Sequence, residues 1–367
     1  MCYALHSAKA VTHPTYIWVS IQDKLYIAFK HDGVMKKQTC FGCSGLLTHR
    51  RKFLIFSTHF VIGAAAFSVS SCVRQKTKKI VGFSQTENIG PWRIAETNSI
   101  KEEAAKRKEI YDFLMTDAQG QTSKQFSDIE DLIARQVDAI FLAPREYEGL
   151  TPALEAARAA KIPVFLIDRE AAGKPGEDFV SFLGSDFIAQ GRRVGEWLAK
   201  ATGEKASVVE LTGTAGSSVA IDRAKGFRDA IARYPNMKII ATQTADFSRA
   251  AAQRVMENII QSKGTDINAV YTHNDEMALG AIQALKSAGI KPGKDAIVGS
   301  IDGQRTALEA IMKGELGVSV ESNPRFGPLV FATMEKYFAG EKIPPRIILK
   351  DRLFDISNAR NFVEEAY

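Results

Sequence analysis

Residues 79–367 predict an α/β protein of two doubly wound lobes joined by a hinge. Three observations carry that reading. From Lys79 onward, short runs rich in Val, Ile and Phe alternate with amphipathic stretches of 12–16 residues. Ten such runs form two groups of five, more than one compact sheet of ordinary size holds. Polar and aromatic residues of one chemical kind follow six of the runs.

The first group of strands is Ile80–Ser84, Tyr111–Met115, Ala139–Leu142, Val164–Ile167 and Val180–Leu183. The second is Ser207–Leu211, Lys238–Thr242, Ala269–Thr272, Ala296–Ser300 and Gly317–Val320. Between them, Leu132, Ile133 and Val137 make one helical apolar face; Val255, Ile259 and Ile260 make another; Met277, Ala281 and Leu285 make a third. Strands alternating with helices mean parallel sheets, and continuous apolar runs mean sheets covered on both faces. The expected lobes are 79–185 with about 322–349, and 186–321 with about 350–367. The first crossing lies near Ser185-Asp186.

Residues 1–72 differ in kind. They hold eight Lys/Arg against two Asp/Glu, all four cysteines (Cys2, Cys40, Cys43, Cys72) and five of the six histidines. The formal net charge of +6 therefore belongs to this segment, and the neutral body lacks the electrostatic footprint of a DNA binder. The body has no Cys and only His273, which excludes a disulfide, a Cys nucleophile and a Cys/His metal cage there.

His49-Arg50-Arg51-Lys52 followed by nineteen uncharged residues, Phe53 to Ser71, has the parts of an export signal. Arg50-Arg51-Lys52-Phe53-Leu54 resembles a twin-arginine motif, and Val69-Ser70-Ser71-Cys72 resembles a lipobox that would lipidate Cys72. A retained transmembrane anchor is the alternative, one that Gly63 to Ala66 and four serines make mediocre. Residues 1–34 show no persuasive period, and Met35 is a candidate true start. Cys40-Phe41-Gly42-Cys43 is a lone CxxC with no second pair.

Ligands of open parallel sheets sit beyond the carboxyl ends of the strands. There the sequence places Trp92 and Arg93 in a Gln85–Arg93 loop, Asp168-Arg169, and a Thr212–Ser218 loop followed by Arg223. Asp246-Phe247, His273-Asn274-Asp275-Glu276 and Asp302-Gly303 complete the set. Carboxylates accept from paired hydroxyls, guanidinium forks donate to them, and aromatic rings pack on C–H faces, so this set suits a neutral sugar. The body carries no GxxxxGKS/T, GxGxxG or GxSxG and no zinc spacing, so no cofactor or metal is expected. Asp168 and Asp302 as a hydrolytic carboxylate pair would need a raised pKa, whereas Arg or Asn partners are expected to lower it. Taken singly, each residue has a plainer role: Asn274 and Asp275 as helix caps, Arg223 as a solvated helix charge, Trp92 and Phe247 as core. A buried Asp168-Arg169 pair is costly without partners and is the hardest to explain that way.

The stretches Val81–Gln85, Trp92-Arg93, Ile167–Arg169, Val219–Arg223, Asp246-Phe247, His273–Met277 and Gly299–Gly303 resemble, in order, the type I periplasmic sugar-binding proteins of ABC importers, in particular their galactofuranose-binding branch. The resemblance spans about residues 79–350. It implies two Rossmann-like lobes closing on a monosaccharide, with Trp92 stacking, Arg93, Arg169 and Arg223 donating, Asp168 and Asp302 accepting, and Asn274 doing both. Phe247 matches a stacking position of ribose binders. Ala143 and Arg93 stand where ribose binders carry Asn and Phe, which argues against ribose. It further implies an extracytoplasmic monomer without enzymatic activity that hands its sugar to membrane permease subunits. Two alternatives share part of the pattern: the core of a sugar-responsive repressor of the lac repressor family, which would need a basic helix-turn-helix before it, and a glycoside-processing enzyme.

Overall fold

The computed structural model describes residues 17–21, 24–31, 34–37, 78–264 and 266–367. The chain divides into two units, Met1–Ser71 and Cys72–Tyr367. The twin-arginine stretch, the uncharged run, the CxxC and Cys72 lie outside the described residues.

In the first unit, β1 (Ile17–Ile21), β2 (Lys24–His31) and β3 (Val34–Lys37) pair antiparallel in the order β1-β2-β3. These strands lie largely within residues 1–34, where the sequence shows no persuasive period. Leu25, Ile27 and Phe29 alternate with more polar neighbours, but runs of four to eight residues give a weak signal beside a long helix.

The second unit contains two six-stranded sheets. The first comprises β4 (Lys79–Gln85), β5 (Tyr111–Asp117), β6 (Ala139–Leu142), β7 (Val164–Ile167), β8 (Ser181–Gly184) and, from much later in the chain, β14 (Arg346–Ile348). The second comprises β9 (Lys205–Thr212), β10 (Asn236–Thr244), β11 (Ala269–Thr272), β12 (Ile297–Asp302), β13 (Val318–Glu321) and β15 (Leu353–Asp355). Their orders are β14-β8-β7-β6-β4-β5 and β10-β9-β11-β12-β13-β15. Every pairing is parallel except β13 with β15. The five leading strands of each sheet thus repeat one order, 2-1-3-4-5, whose reversal point opens a crevice at the carboxyl edge. All ten expected strands form, most shifted or extended by a few residues. The two missed ones, β14 and β15, are three residues long, too short to show alternation.

Helices cover both faces of each sheet. They are α1 (Pro91–Lys106), α2 (Thr122–Ala134) and α3 (Thr151–Ala159), then α4 (Phe187–Ala201), α5 (Ser218–Ile231) and α6 (Arg249–Lys263). The remainder are α7 (Asp275–Ser287), α8 (Arg305–Met312), α9 (Gly327–Phe338) and α10 (Ala359–Phe362). On β6, Ile140 and Leu142 join a core with Ile129, Leu132 and Leu154, whereas Ala139 and Phe141 join the opposite one. Alternation across a doubly covered sheet turns a continuous apolar run into two cores. Phe331 of α9 completes the second of these, edge-on to Phe141 at 5.0 Å. The chain passes between the sheets three times: after β8, after β13, and between β14 and β15.

Candidate functional site

Each cleft residue is placed by its strand end or the helix start beyond it. Gly90, with φ of 79°, turns the chain into α1, and Pro91 opens that helix, so Trp92 and Arg93 fall in its first turn. Ser217 caps α5 by accepting from Ala220 N, which sets Arg223 on the second turn. Asn274 caps α7 by accepting from Met277 N at 3.0 Å. Asp168, Phe247 and Asp302 are non-glycine residues with φ of 60°, 56° and 134°. Such backbone is costly for a residue with a Cβ and concentrates at functional sites.

All eight residues expected at the site line one cavity of about 60 Å³ between the sheets' carboxyl ends: Trp92, Arg93, Asp168, Arg169, Arg223, Phe247, Asn274 and Asp302. The lining also includes Glu87, Val219 and Glu276, which sequence reasoning did not select. Glu87 and Glu276 were visible as strand-end acids, but nothing marked their direction. The lobes touch around the cavity: Tyr147 N donates to Gly216 O at 2.9 Å and Glu170 N to Ser218 Oγ at 2.9 Å. Val219 packs into the core of the first lobe, so the cleft is closed.

On the first-lobe side, Arg93 lies between two carboxylates, with Nη1 at 2.8 Å from Glu96 and Nη2 at 2.7 Å from Asp168. Burial opposes the charge on Arg93, but Asp168 and Glu96 outweigh it and raise its pKa. Burial pushes Glu96 up to about 7 despite Arg93. Arg169 is brought down to about 9 by burial and by its like-charged neighbour Arg93. Its Nη1 donates to Arg145 O, while Nε is buried with no hydrogen-bond partner among the described residues. Trp92 donates Nε1 to Ser322 O at 2.7 Å and packs beside Phe326, with the Arg93 guanidinium 4.7 Å from its ring centre.

On the second-lobe side, Arg223 is 3% exposed, so it is not a solvated helix charge. It donates Nε to Gln190 Oε1 at 3.0 Å, Nη1 to His273 O, and Nη2 to Asp302 Oδ1 at 3.4 Å. The approach of α4 to α5 makes this possible. A Cβ on Gly191 would lie 2.2 Å from Arg223 O, and one on Gly226 would lie 2.0 Å from Ile188 O. His273 is buried beside Glu210, its Nδ1 accepting from Gly213 N, and burial holds its pKa below the usual range.

One expectation needs correcting. Asp302 does not have the lowered pKa expected of an Arg partner; burial pushes it well above the ordinary carboxylate range, against the pull of Arg223. Asn274 acts as the cap through Oδ1, which accepts from Met277 N and keeps a second lone pair, while its Nδ2 lies 3.4 Å from Phe247 O.

A cavity built this way presents donors from three guanidinium groups, acceptors from carboxylates, and two aromatic rings. Those groups satisfy hydroxyls and a C–H face, and they define a carbohydrate-type binding cleft rather than a metal centre. The sequence comparisons agree with that class. A family model described as periplasmic binding protein domain matches residues 81–342. The chain belongs to this periplasmic binding protein family. It is similar to the galactofuranose-binding protein YtfQ of Escherichia coli (strain K12), at 41% identity over 83% of this chain and 96% of the relative. It is 34% identical to the ribose import binding protein RbsB of Bacillus subtilis (strain 168), over 74% of this chain and 86% of that protein. Among solved structures, a galactofuranose binding protein superposes with a TM-score of 0.76 at 42% identity, covering 78% of this chain and 98% of the other. The arabinose transporter binding component of Shewanella sp. ANA-3, bound to α- and β-L-arabinofuranose, gives 0.75 at 38% identity, over 78% and 95%.

Proposed function

We propose that the protein captures a neutral monosaccharide, of the furanose-ring aldose kind, by closing its two lobes on it and delivers it to the permease of an ABC importer. The convergence of all eight sequence-selected residues on one interlobe cavity carries this reading. The relatives named for galactofuranose and arabinofuranose support the ring form. Residues 79–185 with about 322–349 move as one lobe, and 186–321 with about 350–367 as the other. Hydrogen bonds involving a charged partner contribute about 1.5–3 kcal/mol each, so Arg93, Arg169, Arg223, Asp168 and Asp302 supply the main attraction and Trp92 and Phe247 the stacking. Closure follows because a ligand touching both lobes binds the closed state better than the open one. The protein works outside the cytoplasm as a monomer, exported by its leader, with Cys72 as a lipid attachment point. Among the described residues no helix is long and apolar enough to cross a membrane.

The raised Asp302 favours one competing reading, a glycoside-processing enzyme with Asp302 as general acid. Its partner carboxylate, Asp168, is paired with Arg93 at 2.7 Å, which makes Asp168 a poor base. Calorimetric titration with D-galactose, L-arabinose, D-ribose and methyl β-D-galactofuranoside, beside a nitrophenyl-glycoside turnover assay, separates the two. Saturable binding of at least one furanose-forming sugar without turnover is expected. Binding of none, or steady hydrolysis, overturns the proposal.

A further inference from the structure

Gln190 is 1% exposed, does not line the cavity, and sits at the start of α4 just past the first crossing. Both amide hydrogens and one lone pair of its amide oxygen are engaged. Oε1 accepts from Arg223 Nε at 3.0 Å; Nε2 donates to Glu321 O at 3.0 Å and to Asp351 Oδ2 at 2.8 Å. The reversed amide would set donor against guanidinium and acceptor against carboxylate, so this orientation is the one the chemistry allows.

The partners of Gln190 lie on different crossings. Glu321 ends β13 where the second crossing starts, and Asp351 lies on the third. Asp351 Oδ1 accepts from Ser185 Oγ at 3.0 Å, which brings in the first, and Asp351 O accepts from Arg193 Nη1 at 2.9 Å. Glu321 and Arg352 clamp the second and third crossings together through contacts of 2.8 and 2.7 Å. One neutral amide therefore joins a guanidinium in the cleft to all three connections between the lobes, without adding charge beside Arg223.

We propose that Gln190, with Asp351, is a positioning residue that couples Arg223 to the hinge and so sets how closely the lobes shut when ligand engages Arg223. The proposal rests on the ligand-binding reading of the cleft given above. Gln190 is buried behind Arg223 and does not line the cavity, so its effect on binding passes through Arg223 and the crossings.

The test uses the full chain with Cys2, Cys40, Cys43 and Cys72 replaced by Ser. Spin labels go on Ile89→Cys and Ile221→Cys, exposed positions at 69% and 53%, one on each lobe. D-Galactose and L-arabinose are the probes. Calorimetry reads affinity, and electron–electron resonance reads the distance across the cleft. Gln190→Met is expected to weaken sugar binding about tenfold and to broaden the distance distribution with and without sugar. In an Arg223→Lys background the same change should cost no more than about a further twofold. Asp351→Asn, which leaves the Arg223 contact intact, should broaden the distances in the same sense, and it serves if Gln190→Met fails to fold. Wild-type affinity and distances in Gln190→Met, or losses that simply multiply with Arg223→Lys, overturn the coupling. A wild type that binds neither sugar defeats the ligand reading alone; ligand-free distance distributions that differ between wild type and Gln190→Met then still support the coupling, and coincident ones refute it.

Discussion

Arg93 and Arg223 hold opposite sides of the same cavity, and they are held differently. Arg93 is neutralised inside its own lobe by Glu96 and Asp168. Arg223 meets one carboxylate at longer range, a backbone carbonyl, and an amide that reaches the crossings. The first lobe thus presents a half-site whose Arg93 is already paired before the lobes meet. The second presents one whose key cation is mechanically tied to the connection between them. In a two-lobed binder, stiffness on one side lets the geometry of closure be set by the other.

The largest effect that bears on this contrast is expected from Arg223→Ala, which leaves Asp302 buried without its guanidinium and removes the link to Gln190. Affinity for the cognate sugar should fall about a hundredfold by calorimetry, about 2.7 kcal/mol. A loss no greater than that of Trp92→Ala would make the two sides equivalent. Trp92→Ala removes a stacking surface and the bond to Ser322, and at least a tenfold loss is expected while the thermal unfolding transition stays cooperative. Unchanged affinity would take the indole out of the site.

The smallest effect concerns Glu96. This carboxyl titrates near 4.5 when free and near 7 in the folded protein, chiefly because it is buried. The folded state then holds its proton more tightly than the unfolded state. Stability of the wild type relative to Glu96→Gln should accordingly rise as pH falls from 8 to 6, by roughly 1 kcal/mol. A difference between the two that does not vary with pH would mean Arg93 keeps Glu96 ionised throughout, and the first-lobe network would carry full charge.

Much of the fold was legible because long α/β alternation writes its period plainly, and strand ends name the cleft. Asp168-Arg169 stood out because an acid and a base beside a buried strand require partners, and Arg93 proved to be one. Gln190 did not stand out. It is a single polar residue in the 187–191 start of a helix, and its partners Glu321 and Asp351 are 131 and 161 positions away. Only tertiary convergence of the crossings gives it meaning. The pKa of Asp302 was misjudged for a related reason: a sequence shows the charged neighbour but not the depth of burial, and here depth outweighs the neighbour. The short β14 and β15, which join the returning chain to each sheet, carry too few residues to announce themselves.

The most direct measurement is a crystal structure of the protein grown with a furanose-forming sugar such as L-arabinose. A sugar ring lying against the Trp92 indole, with its hydroxyls bonded to Asp302 and Arg223 and no covalent bond from its anomeric carbon to the protein, is the predicted result. A sugar bound elsewhere while this closed cleft holds none would contradict the account.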